Sequence, residues 1–255
     1  MTEDQTILIG TNLEGENIFL HSSLANRHGL IAGATGTGKT VSLQLLAENF
    51  SRLGVPVFTA DIKGDLSGLS QPIVTNQKVL ERIEKIGIEG FEAEKSPVCL
   101  WDLYGINGLP IRTTISEFGP LLLSRILDLN DTQEGVLQIA YKIADDQGLL
   151  LLDIKDLQAV LTWMSENSSD IQSQYGNVSK ASIAAIQRDL LVLNQVGASN
   201  FFGEPALNID HLMQRDFSGR GVISILDATK LIENPRLYSV FLLWLLSELF
   251  ENLPE

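Results

Sequence analysis

The chain has 255 residues, is 44% hydrophobic and carries a formal net charge of −14. That length and composition fit a globular protein of one large domain or two small ones. The acidity argues against a broad basic face for nucleic acid; a ring or channel could carry only a local basic lining, and solubility is the plainer role. Cys99 is the single cysteine. It excludes a disulfide framework and a Cys-rich metal site, and after Val98 it reads as a small buried hydrophobe.

Residues 5–22 predict a β-hairpin, with Thr6 to Gly10 and Asn17 to Leu20 flanking a turn at Glu14, Gly15 and Glu16. The acidic start, Met1-Thr2-Glu3-Asp4, lacks the apolar core of a signal peptide. Next comes Gly33-Ala34-Thr35-Gly36-Thr37-Gly38-Lys39-Thr40, which reads G-x-x-x-x-G-K-[ST], the loop that cradles nucleotide phosphates. Its context is right. Gly29-Leu30-Ile31-Ala32 predicts a short buried strand, and Leu43, Leu46, Phe50 and Leu53 recur at helical spacing until Gly54.

The chemistry follows from those residue types. Gly36 and Gly38 let the backbone approach phosphate with no Cβ in the way. The N–H groups from Gly36 to Thr40 converge at the positive end of a helix. Lys39 is the candidate catalytic residue, reaching the β- and γ-phosphates. Thr40 is the candidate magnesium ligand through its hydroxyl. Thr35 and Thr37 read as turn residues. The implied cofactors are ATP and Mg²⁺.

Val55 to Ala60 predicts a second strand, ending in the polar loop Asp61-Ile62-Lys63-Gly64-Asp65. Ligands of open α/β sheets gather at such edges. Residues 76–89 predict a helix, and Pro97 to Trp101 a third strand ending at Asp102. From 116 to about 214 the pattern is nearly all helical. Asn130, Asp131 or Thr132 can cap a helix to Asp146; Asp153 or Asp156 can open one through Met164; Ser182 can open another, closed by Gly197. A strand resumes at 221–227. A last helix from Pro235 to Asn252 is apolar around most of its circumference, which predicts burial on more than one side. Its apolar stretch from Val240 to Leu246 is too short to span a bilayer. The organisation expected is a hairpin cap at 1–25, the first part of a P-loop core at 26–115, a helical insertion at 116–215, and a core strand with its apolar helix at 216–255. A cytoplasmic protein without a membrane partner is expected.

Hydrolysis needs more than the loop. An acidic residue at a strand end holds the metal shell, and a carboxylate orients water. Asp61, Asp102 and Asp227 end strands, yet Ile62, Leu103 and Ala228 follow them, none a glutamate. Each aspartate can equally start a turn. The chain stops at Pro254 and Glu255, after a helix that ordinarily leads into another strand, so the domain is expected to continue beyond residue 255.

Several segments carry a resemblance. Asn26 to Gly33 running into the loop, Trp101 to Gly105, Gly119 to Leu122, Phe201 to Pro205, and Leu237 to Leu246 resemble bacterial HerA helicase-like proteins of the YjgR type, in the HerA/FtsK group of P-loop NTPases. The resemblance covers nearly the whole chain and implies its N-terminal position in a longer protein. It implies a RecA-like α/β fold with a parallel sheet and a helical insertion, Mg-ATP, homo-hexameric rings, and DNA or a nuclease-type partner. In the family, the Asp-Glu pair follows a strand after the apolar helix and has no counterpart among these residues. Arg112, Arg125, Arg188 and Arg236 are candidate fingers toward a neighbouring subunit, although each also fits a surface role. The expectation is an ATP-binding domain, weak in hydrolysis, of a HerA-like motor. A complete nucleotide-dependent switch acting through binding is the alternative. A small-molecule kinase fits poorly, because nothing suggests an acceptor site.

Overall fold

Two short apolar runs, Ile7-Leu8-Ile9 and Ile18-Phe19-Leu20, separated by a polar turn make the first hairpin. Strands β1 (Thr6–Thr11) and β2 (Asn17–His21) pair antiparallel, with a bulge between Leu8 and Gly10. Asn12 shapes the turn, its side-chain oxygen accepting from the backbone N–H groups of Glu14 and Glu16. The computed structural model describes residues 5–88 and 90–252. The acidic residues 1–4, Glu89 at the end of the expected 76–89 helix, and Pro254 and Glu255 lie outside them.

Helix α1 (Lys39–Arg52) follows the glycine loop, then β3 (Val57–Asp61), α2 (Gln77–Ile86), β4 (Val98–Asp102), the short β5 (Leu109–Pro110) and, much later, β6 (Ile223–Asp227). The sheet order is β3-β6-β4-β5. Val57 N–H donates to Val222 O, and Ile223 N–H to Pro97 O, so strand starts meet strand starts as parallel pairing requires.

The chain divides into two units, Met1–Leu100 with Leu212–Leu226, and Trp101–His211 with Asp227–Glu255. In the first, Ala47 of α1 packs with Leu66, Leu69, Ile223 and Ile225. The buried face of α1 is Ala47 and Ser51, while Leu43 of the expected stripe is exposed. Small residues win that face because the chain comes close there. Ser51 Oγ donates to Gly221 O at 2.6 Å, Gly221 N–H donates back to Ser51 O, and a Cβ on Gly221 would collide with the backbone of Val55.

Residues 29–32 do not form the expected strand. They have no regular structure, and Leu30 and Ile31 are 90% and 37% exposed. A buried strand needs neighbours for its backbone groups. Among the described residues none pairs with this run, and β3 stands at the end of the sheet. Cys99 also differs from expectation: it is half-buried, although burial still pushes its thiol pKa up.

The second unit is helical: α3 (Ile115–Leu127), α4 (Asp131–Asp146), α5 (Ile154–Glu166), α6 (Ser168–Tyr175), α7 (Lys180–Gln195), α8 (Ala198–Phe201) and α9 (Pro235–Asn252). Reciprocal capping boxes start α3 (Thr114 with Glu117), α4 (Asn130 with Gln133) and α5 (Asp153 with Asp156). Helix α7 starts two residues before the expected Ser182, because Ser179 caps it by accepting from Ser182 N–H. Helix α3 breaks at Gly119 (φ 75°), just before Pro120. Helix α9 buries Leu237, Val240, Phe241, Trp244 and Leu245, but leaves Leu243, Leu246 and Phe250 exposed. Its burial is therefore one-sided among the described residues, contrary to the expectation from its composition. No described helix is long and apolar enough to cross a membrane.

Phe201 organises this unit's core. It is fully buried, with Phe118, Phe202, Phe241 and Trp244 rings at centroid distances of 6.0, 5.1, 5.9 and 5.3 Å. Phe201→Ala is expected to cost about 3–5 kcal/mol, read as a fall in the denaturant midpoint at unchanged slope.

Candidate functional site: a glycine loop at the start of an uncapped helix

Gly36 and Gly38 have φ of 81° and 95°, which only glycine adopts without strain, and a Cβ on either would meet nothing within 4 Å. The space over the loop is open. Gly33 is needed for another reason, since a Cβ there would lie 2.5 Å from Thr37 Oγ1. Thr37 folds the loop on itself, donating through its hydroxyl to Ala34 O at 2.8 Å and through its N–H at 3.4 Å. Thr37 is thus a turn residue, as its position suggests, and Thr35 is exposed on the same loop.

Helix α1 begins at Lys39 on the left-handed Gly38, with no side chain capping it. Its first N–H groups are left for water or an anion. Helices α3, α4 and α5 have carboxylate, amide or hydroxyl caps at the same position. Lys39 Nζ donates to Ala34 O at 2.8 Å, so the ammonium folds back across the loop. Free N–H donors at the helix start, open space over Gly36 and Gly38 and a cation beside them are what a polyphosphate chain needs. Thr40, the second residue of α1, would present its hydroxyl to a bound magnesium.

The strand-end aspartates are engaged as turn anchors. Asp61 is buried; its Oδ1 accepts from Lys63, Gly64 and Asp65 N–H at 3.1, 2.7 and 3.3 Å, and its Oδ2 from Leu66 N–H at 2.8 Å. Gln44 of α1 donates to Asp65 O at 3.1 Å, tying this loop to the helix. Asp102 does the same for its own turn, taking N–H groups of Tyr104, Ile106 and Asn107. Asp227 accepts from Thr229 N–H and hydroxyl through Oδ1, and from Asn107 Nδ2 through Oδ2 at 2.8 Å. Sequence reasoning missed the Asn107 partnership, and no local signal joins residues so far apart.

The arginines fare differently. Arg112 is half-buried and donates from Nη1 to Glu204 O at 2.7 Å. Arg125, Arg188 and Arg236 are exposed on α3, α7 and α9.

A cleft of ≈ 1010 Å³ opens beside the loop, within the first unit. It runs from Gly36 and Gly38 along α1 to Arg52, walled by β1 and by the segment after α2.

The parallel sheet, the loop and the helix after it define a P-loop NTPase-like α/β protein. VirB4 of Thermoanaerobacter pseudethanolicus shares this fold, with a TM-score of 0.52 and 14% identity over 97% of this chain and 63% of that one. The chain therefore spans less than two thirds of that relative's length. The model of the helicase HerA-like C-terminal family matches residues 6–255, and the chain belongs to that family. The match is to the family's C-terminal region, which corrects the expected N-terminal placement. No match is found among curated proteins.

The hydrogen bonds to Asp227 lead to a measurable titration. Partial burial works against its charge, but the bonds from Thr229 and Asn107 outweigh it and hold its pKa below the ordinary 3.8. Ionised Asp227 thus stabilises the fold above that ordinary value, and the stabilisation is lost as pH falls through the lower folded pKa. Carboxyl NMR titration should give a midpoint below 3.8, and Asn107→Ala should move it up.

Proposed function

We propose that residues 33–40 bind Mg-ATP, and that nucleotide binding drives a HerA-like motor acting on DNA or on a partner protein. The supporting observation is the uncapped start of α1 at left-handed Gly38, with Lys39 Nζ already 2.8 Å from Ala34 O across the open loop. Lys39 would move from that carbonyl to the β- and γ-phosphates, exchanging a neutral acceptor for a charged one. Thr40 would hold the metal through its hydroxyl. Bound ATP and magnesium would supply the transferable phosphoryl group and its charge neutralisation.

Hydrolysis by these residues is proposed to be slow. Asp61, Asp102 and Asp227 each spend both carboxylate oxygens on the turn or side chain next to them. Asp61 accepts four hydrogen bonds, and Asp102 and Asp227 three each, so little of any carboxylate is left to orient an attacking water. Family membership favours a ring of copies, with hexamers and a DNA or nuclease-type partner as the expected context. A cytoplasmic setting accords with that role.

Binding and turnover test separate parts of this reading. Calorimetric titration should show Mg-ATP binding that Lys39→Ala weakens by about tenfold to a hundredfold, the loss of one charge-assisted hydrogen bond. Unchanged affinity in Lys39→Ala would refute the site. Brisk steady-state turnover that Lys39→Ala abolishes would refute slow hydrolysis while leaving the site intact.

A further inference from the structure

The cleft beside the loop has two chemically distinct ends. One end is formed by Gly36, Thr37 and Gly38, where phosphate would sit. The far end is closed by Glu94, which pairs with Arg220 at 2.5 Å and approaches Arg52 at 3.8 Å. Those charges are spent on each other, and the Arg220 hydrogen bond holds the Glu94 pKa down. Between the two ends the walls mix apolar side chains with the polar Ser42, Asn49, Arg82 and Glu92. Ile9 on the β1 side, Val41 on α1 and Phe91 on the opposite segment are 44%, 63% and 38% exposed and face the same cavity. Leu45 and Ile86 continue the lining, and the half-buried Glu48 carboxyl, its pKa raised by burial, supplies an acceptor.

This order matches a nucleotide laid along α1, phosphate first and base last. The helix rises about 1.5 Å per residue, so Leu45 stands roughly 10 Å beyond Gly38. That is comparable to the reach of a nucleoside from its first phosphate. The cavity has room for one, and exposed apolar side chains gain from a flat aromatic cover.

We propose that this cleft is the nucleoside subsite of the loop, and that it takes a purine base between Val41 on α1 and Phe91. The β1 strand, through Ile9, forms the third wall, so the N-terminal hairpin belongs to the binding site. This inference rests on phosphate binding at residues 33–40, and its failure is separable from the failure of that reading.

The test compares Mg-ATP with inorganic magnesium tripolyphosphate, which has the phosphates but no base. Both are titrated by calorimetry into the wild-type chain, Phe91→Ala and Val41→Trp, with circular dichroism confirming that each variant is folded. The wild type should bind ATP at least about tenfold tighter than tripolyphosphate. Phe91→Ala should weaken ATP by about fivefold to a hundredfold and leave tripolyphosphate within twofold, as loss of a stacking partner predicts. Val41→Trp, which fills the cleft and leaves the loop sequence intact, should act in the same direction. Tripolyphosphate binding as tight as ATP in the wild type overturns the subsite and spares the loop. So does an ATP-to-tripolyphosphate ratio unchanged in both variants. A wild type that binds neither ligand overturns the loop reading, and the subsite with it.

Discussion

The glycine loop works only if the helix behind it is held, and the clamp between Ser51 and Gly221 does that. Gly221 both donates to and accepts from Ser51, while its missing Cβ lets the backbone of Val55 pass alongside. Ala47, one turn earlier, packs against Ile223 and Ile225 of β6. The C-terminal half of α1 is therefore fixed to the start of β6 by small residues at short range. The N-terminal end, with its free N–H groups, is left to point out of the packed region. A larger residue at 221 would push the helix away from the strand and move the loop with it.

The aspartates show how one residue type can serve geometry before chemistry. A strand that ends in Asp61 delivers a carboxylate to the spot where the chain must turn, and four consecutive backbone N–H groups close on it. Asp102 repeats the arrangement with three. Charge-assisted bonds of this kind are stronger than neutral ones, so the loops at these strand ends are shaped by the fold itself. Their oxygens are then committed, and a ligand at the sheet edge meets loop backbone rather than free carboxylate.

How much could be read from the chain alone depended on the range of the interactions. The hairpin, α4, α5 and α9 are written locally, in short apolar runs around a turn, caps and helical spacing, and they stand close to where those signals place them. The glycine loop is eight consecutive residues and was fully visible. Residues 29–32 were not readable, because an apolar run becomes a strand only when another strand lies beside it. The buried face of α1 was misjudged for a related reason: close approach selects Ala47 and Ser51 over larger apolar neighbours. The bond from Asn107 to Asp227 and the cleft walled by Ile9, Val41 and Phe91 join distant segments, and no spacing rule connects them.

Lys39 gives the loop a property of its own. Its ammonium is bonded to Ala34 O, so it is not a bare positive charge open to any anion. An incoming group must be a better acceptor than a peptide carbonyl, and it must reach the ammonium while also filling the helix start. A single chloride or a side-chain carboxylate offers one contact and forfeits the other. Under the proposed binding, that bond would set a threshold on ligand length, favouring a chain of linked phosphates over isolated anions.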